Sequence, residues 1–305
     1  MYNNPRNQYV GAVLALLAVI IWSGNFIVAR AVIKSISPFS LSFYRWGTAA
    51  VIMLPIALNK VKQEWTIIKK SLYYLFWVSL SGITLFNMFV YIGGHYTTAI
   101  NLALIGTTSS PIIAVVLARI FLKEEISWQK IVGMFICLLG VIFLISKGDI
   151  NNLLHFQFGI GDRWVLLGAT CFAIYNILVR KKPDGLSAIS FLFMVFALGT
   201  VLLIPFYVWD ILHGEAIQWS VNLVWVIVYL GLGASAIAYL CWNIAIRRLG
   251  ASPTALFGNL LPVFSTIEAA FILNEQFTWV HLVSMLLVFT GILLANYALF
   301  RPAKV

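Results

Sequence analysis

From Val10 onward the chain is a series of apolar runs separated by short polar breaks. Each is close to the roughly 20 residues that carry a helix across a bilayer. Ten runs have this length, at about 10–29, 38–58, 72–93, 99–121, 130–146, 164–180, 187–208, 222–246, 253–273 and 279–299. Backbone polar groups in lipid must be satisfied within the segment, so such runs form helices; barrel strands are shorter and alternate. The 305 residues are 62% hydrophobic and only 10% charged, against about 25% charged in a soluble domain. No soluble core hides that much apolar surface. The expected fold class is an all-α polytopic membrane protein with ten transmembrane helices.

Charge sets the direction of the runs. The net charge is +10, which in a soluble chain would point to nucleic acid. Here the basic residues lie between the apolar runs, so they are read as topology signals and no nucleic-acid partner is expected. With a cytoplasmic N-terminus, fifteen of the 20 Lys and Arg residues fall inside and four outside, while Arg45 sits within the second run. That bias fits ten spans with both termini cytoplasmic. The short polar Met1–Tyr9 segment precedes a run long enough to span, so the first helix is read as retained. Cys137, Cys171 and Cys241 lie inside apolar runs without a CxxC pair. They are expected to be reduced core residues, neither disulfides nor metal ligands.

The chain also repeats itself. A shift of 151 residues lays Pro111 on Pro262, Glu124 on Glu275, Trp128 on Trp279 and Gly140 on Gly291; upstream, a shift of 150 lays Arg30 on Arg180 and Pro55 on Pro205. Residues 1–146 are read as the first five-helix repeat, 147–163 as an outside (periplasmic) linker loop, and 164–305 as the second repeat. Five is odd, so the halves cross the membrane in opposite senses. Two inverted repeats around a central cavity are the architecture of alternating-access carriers.

Trp22-Ser23-Gly24-Asn25-Phe26 in the first run is similar to a W-G-x-N-F signature. Arg45 follows Pro38, the fourth and ninth runs carry a mid-run proline and a terminal glutamate, and the fifth and tenth begin after a tryptophan. In this order, across nearly the whole chain, these features resemble the drug/metabolite transporter superfamily in its EamA-type ten-helix branch. Ser23 departs from the family's usual Gly, and Phe172-Ala173-Ile174-Tyr175-Asn176 replaces the signature in the second half. The resemblance implies a secondary carrier of small metabolites in a bacterial inner membrane, most often an exporter of amino acids or related compounds. It leaves nucleotide-type metabolites, cationic drugs and a passive facilitator or channel as alternatives. No Walker-type GxxxxGK[ST] is present, so energy is expected from a gradient or from exchange. No cofactor is expected.

Candidate substrate-binding residues are polar or aromatic groups deep in the runs. They are Trp22 and Asn25, Asn87 and Tyr91, Thr108, Tyr175 and Asn176, Tyr239, Trp242 and Asn243, and Asn259. Aromatic faces hold a ligand's body or its ammonium, and Asn supplies donors and acceptors. The alternative is helix packing and interface anchoring. Trp128, Trp164, Trp209, Trp219, Trp225 and Trp279, near run ends, are assigned to the interface. Pro111 and Pro262 are candidate hinges, since each removes a helix hydrogen bond and frees the carbonyl of Thr107 or Gly258; a structural kink is the competing reading. Arg45 is a candidate for a substrate carboxylate, against snorkelling or pairing with Glu268. Glu268, the one carboxylate well inside a run, is the candidate for proton coupling, against a permanent pairing. Glu124 and Glu275 read as structural residues at helix ends. Gly133 with Gly140, and Ser284 with Gly291, offer close-packing faces, for the neighbouring span or for a homodimer through the fifth and tenth helices.

An enzyme is not expected. His95, His155, His213 and His281 are scattered, Asp149, Asp162, Asp184 and Asp210 read as single loop residues, and no HExxH or paired-carboxylate cluster occurs.

Overall fold

The computed structural model describes residues 5–32, 35–96, 99–149, 151–154, 159–272 and 278–297. Within them, the side chains of residues 5, 6, 25–31, 91, 94, 95, 99–104, 107, 108, 152, 153, 266, 269, 270 and 272 lie outside the description. Described residues form helices and no strand. In order these are α1 (Pro5–Val32), α2 (Pro38–Gln63), α3 (Trp65–Lys70), α4 (Leu72–Ser79), α5 (Phe86–Tyr96), α6 (Ala99–Leu122), α7 (Trp128–Ile145) and α8 (Asn151–Leu154). The second half has α9 (Ile160–Arg180), α10 (Ala188–His213), α11 (Val221–Tyr229), α12 (Ala238–Leu249), α13 (Ala251–Leu256), α14 (Leu261–Ile272) and α15 (Trp279–Ala295). A π-helical segment, Leu80–Leu85, joins α4 to α5, and another, Leu230–Ile237, joins α11 to α12; a 3₁₀ turn, Phe257–Leu260, joins α13 to α14. Among the described residues, seven stretches are long and apolar enough to cross a membrane, while the apolar Ser109–Leu122 and Trp279–Ala295 are shorter.

Helix starts follow from local chemistry. Ser37, Ser127, Ser187 and Ser220 are N-caps whose hydroxyls accept from Ser40, Lys130, Ser190 and Leu223 N–H, satisfying donors the helix cannot. Gly250, at φ +104°, separates α12 from α13 in a conformation that other residues rarely adopt.

The repeat-related helices pair side by side and antiparallel. The start of α2 meets the end of α10 where Ser37 and Ser40 donate to the Asp210 carboxylate. The end of α2 meets the start of α10 where Ser187 N–H donates to Glu64 Oε2 at 2.9 Å. In α7 and α15, Ser284 Oγ donates to Gly140 O at 2.7 Å, and Gly133 packs on Gly291 and Ala295. A Cβ on Gly291 would stand 2.6 Å from Gly133 O and 2.7 Å from Cys137 N, so glycine lets the backbones touch. The small-residue faces of both helices are thus used within one chain.

Three expectations need correction. Asp210 is in the last turn of α10 and Asp162 in the first turn of α9, both buried, not in loops. Asp162 accepts Gly159 N–H at 2.7 Å, so each carboxylate serves a helix end instead of standing alone. Helix α6 runs through Pro111 as one element, whereas the ninth run breaks into α13, the 3₁₀ turn and α14. Gly258 O is not left free, because the Leu261 N–H donates to it across the 3₁₀ turn. The 147–163 linker carries the one-turn α8 and, from Ile160, the first residues of α9.

Candidate functional site: an aromatic–amide core at the helix crossing

The deep polar residues from both halves converge. Trp22 on α1 packs T-shaped with Phe172 and Tyr239 and tilts against Trp242, at centroid distances of 5.8, 5.4 and 5.0 Å. Tyr175 stacks on Phe172 at 5.7 Å, and Tyr239 meets Trp46 at 5.1 Å. Successive α9 residues then cross to α12. Tyr175 OH donates to Asn243 Oδ1 at 2.9 Å, and Trp242 Nε1 donates to Asn176 Oδ1 at 2.8 Å. Both amide oxygens are engaged, but the Nδ2 groups of Asn176 and Asn243 are buried without an acceptor. Leaving such a donor unpaired costs about 1–3 kcal/mol.

The π segments border this core. A π turn breaks the regular i→i+4 pairing and frees carbonyls for other donors. Ala234 O in the second segment accepts from Trp22 Nε1 at 2.8 Å and from Arg45 Nη2 at 3.3 Å. In the first segment, Gly82 O accepts from Tyr239 OH at 3.3 Å and Ile83 O from Asn87 Nδ2. Gly82 lies against the Tyr175 ring, leaving no room for a Cβ.

Arg45 is buried, with Nε donating to Ser235 Oγ at 2.8 Å and its guanidinium 4.9 Å from the Trp46 ring centroid. It neither snorkels nor pairs with Glu268, because the Leu230–Ile237 segment supplies its acceptors. Glu268 Oε1 lies 2.7 Å from Ser23 Oγ, and its Oε2 is buried without a partner.

The described candidates Trp22, Tyr175, Asn176, Tyr239, Trp242 and Asn243 are therefore brought together. Asn87 is buried, and its Nδ2 donates to Ile83 O in its own span instead of reaching these residues. Asn259 is buried in the 3₁₀ turn, where a Cβ on the adjacent Gly258 would be 3.8 Å from Pro111. The side chains of Asn25, Tyr91, Thr107 and Thr108 lie outside the described ones, as does Glu275. Sequence reasoning missed Phe172 and Trp46 as aromatic walls, Ser235 as the Arg45 partner, and Ser23 and Tyr229 beside Glu268. Among these, Ser23 carried a signal, as a departure from the signature glycine. Trp128, Trp209, Trp219, Trp225 and Trp279 are exposed on the outer surface, while the half-buried Trp164 packs on Phe89 at 5.5 Å.

A separate cavity of about 700 Å³ opens among Lys123, Glu124, Lys182, Asp184, Arg247 and Gly250 at the helix ends. Arg180 Nη1 donates to Arg247 O at 2.9 Å. Glu124 accepts Ala251 N–H at 3.1 Å and Ser252 N–H at 3.3 Å, tying the end of α6 to the start of α13. Burial and the Arg247 guanidinium push the Lys182 ammonium down to about 8, against the pull of Glu64 and Asp184. At Glu64 burial works against the carboxylate. Bonds from Ser187 and Ser190, with the Lys182 charge, outweigh burial and hold Glu64 below the usual carboxylate range.

The comparisons with known proteins agree with this architecture. A solved structure described only as a crystal structure of a protein superposes with a TM-score of 0.78 at 16% identity, covering 97% of this chain and 100% of that one; it speaks for the fold alone. The uncharacterized transporter YyaM of Bacillus subtilis (strain 168) is 27% identical over 290 residues, 95% of this chain and 94% of the relative. An uncharacterized transporter of Archaeoglobus fulgidus is 28% identical over 273 residues, 86% and 89% of the two chains. The EamA-like transporter family matches residues 9–146 and again 159–297, and with nearly the whole length covered by these two matches, the chain is a membrane transporter belonging to that family, not an enzyme.

Proposed function

We propose that this transporter is a secondary carrier that moves small metabolites by alternating access, exporting amino acids or related compounds. The observation that carries the reading is the aromatic–amide core, with its two buried, unpaired carboxamide donors on α9 and α12. When the core opens, Asn176 and Asn243 Nδ2 are the donors for a substrate carboxylate. The faces of Trp22, Phe172 and Tyr239 are the walls for its body or ammonium. Arg45, one contact beyond Trp22 at Ala234 O, supplies positive potential on the same side of the core.

In this reading ten helices form two inverted five-helix repeats around a central path, in a bacterial inner membrane with both termini cytoplasmic. The antiparallel pairing of α2 with α10 and of α7 with α15 supports the inversion, and the basic-residue bias supports the orientation. Gly258, against Pro111, gives the ninth span a hinge at its 3₁₀ turn. A homodimer through α7 and α15 would have to use their outward faces, including Phe135 and Leu286, since their small faces are occupied.

The test is counterflow into proteoliposomes preloaded with pooled amino acids. Wild-type protein accumulates label saturably, which a channel does not. Asn176→Ala and Asn243→Ala each lower exchange on the order of tenfold, the value of one hydrogen bond to a charged group. Exchange at the wild-type rate in both variants would remove the core from the transport path.

A further inference from the structure

Ser23 on α1 presents a hydrogen-counting problem that assigns a proton. Its Oγ lies 2.7 Å from Ile20 O and also 2.7 Å from Glu268 Oε1. A serine hydroxyl carries one hydrogen, yet both neighbours are acceptors if Glu268 is ionised. Ser23 can donate to only one of the two, so both contacts are hydrogen bonds at once only when a second hydrogen is present. The second has one source, the carboxyl of Glu268 itself. The other carboxyl oxygen, Oε2, is buried without a donor, a costly place for half of a carboxylate and a tolerable one for the oxygen of a neutral acid.

The surroundings offer no substitute. Tyr229, beside Glu268 across Gly24, commits its hydroxyl hydrogen to Ile21 O at 3.1 Å. Beyond Tyr229 stands Arg45, whose Nε and Nη2 serve Ser235 and Ala234. α6, α15 and the 3₁₀ turn also pack on α14, and no described side chain from them bonds the carboxyl, whose Oε2 stays without a partner. Arg30 of α1 is outside the described side chains.

Resting on the transport reading above, we propose that Glu268 is the proton carrier of an exchange cycle, protonated while the aromatic core is closed and ionised when it opens to substrate. The link is α1. Residue 23 is clamped to Glu268, and residue 22 is the indole that closes the core on Phe172, Tyr239 and Trp242. When the carboxyl gives its proton to water on one face of the membrane, Ser23 has one hydrogen for two acceptors. One short contact becomes a repulsion, and α1 with Trp22 is released. Substrate enters the opened core and is carried across. A proton from water on the other face then restores the clamp and the closed core. Proton and substrate exclude one another, so the exchange is antiport.

Two measurements on the full chain in lipid vesicles test this. Infrared titration at neutral pH should reveal a protonated carboxyl C=O band that disappears in Glu268→Gln and shifts in Ser23→Ala. In the counterflow assay with pooled labelled amino acids, a gradient of one pH unit should change wild-type accumulation by up to about tenfold for one-for-one exchange. Glu268→Gln keeps a permanent donor toward Ser23 and should lose exchange. Whatever exchange Glu268→Ala keeps should be indifferent to the gradient, so the isosteric variant is the worse one, the reverse of a packing role. Absence of the band, or gradient-driven accumulation by Glu268→Gln, overturns the proposal. Wild-type protein that moves none of the probes counts against the transport reading instead, and the infrared result alone then decides Glu268.

Discussion

Lys182 shows how a single residue's surroundings become measurable. Its ammonium, half-buried beside Arg247, titrates near 8 instead of 10.5. A lowered lysine value means that the folded state holds the charge less well than the unfolded chain does. The folded state carries that penalty below about pH 8 and loses it progressively as pH rises toward 10.5. At about pH 8, an amine acylating reagent should modify Lys182 well ahead of the exposed Lys60 and Lys62, as read by peptide mass spectrometry. Equal rates at the three sites would contradict the crowding of Lys182 by Arg247. At this scale the sequence was partly legible. Asn176, Trp242 and Asn243 stood out because polar groups inside apolar runs are rare and costly. Which atom meets which was not legible, since the Trp242–Asn176 and Tyr175–Asn243 bonds depend on how α9 crosses α12.

At the scale of elements, close packing between equivalent helices makes the sharpest claim. The α7–α15 contact leaves no space for a Cβ at Gly291, with Cys137 Sγ 2.6 Å away, whereas at Gly47 the nearest atom is Thr200 Cγ2 at 3.6 Å. Gly291→Leu should therefore destabilise the protein by about 1–3 kcal/mol, the usual cost of overpacking. Gly47→Ala should leave the melting temperature in detergent nearly unchanged. Similar losses in the two variants would mean that α7 and α15 are not in backbone contact. The seven-residue spacing of Gly133–Gly140 and Ser284–Gly291 marked a close-packing face on each helix, but not that the two faces meet each other within one chain. The two π segments were not readable. The run at 72–93 and the one at 222–246 looked like uninterrupted helices, because apolar periodicity does not separate i→i+4 from i→i+5 pairing over so short a stretch. Close approaches there, Gly231 to Thr48 and Gly199 to Ile83, come from other spans.

For the whole molecule, the distribution of charge sets the expectation. Reporter domains fused to the N- and C-termini should both be active only in the cytoplasm, and a cysteine placed at Asp149 should react with an impermeant reagent from outside. Termini on opposite sides would remove the ten-span count and, with it, the inverted relation of the halves. Length and apolar content determined by themselves that the chain lives in lipid as helices, and the 151-residue register determined that it is built twice. Both are one-dimensional properties, set by bilayer thickness and by duplication. Only the tertiary structure decided that the aromatic and amide residues of α1, α9 and α12 close on one another, that Arg45 is served by a π segment, and that Ser23 faces Glu268. These contacts join residues up to 245 positions apart, and their partners are selected by helix crossing and packing, which local pattern does not encode.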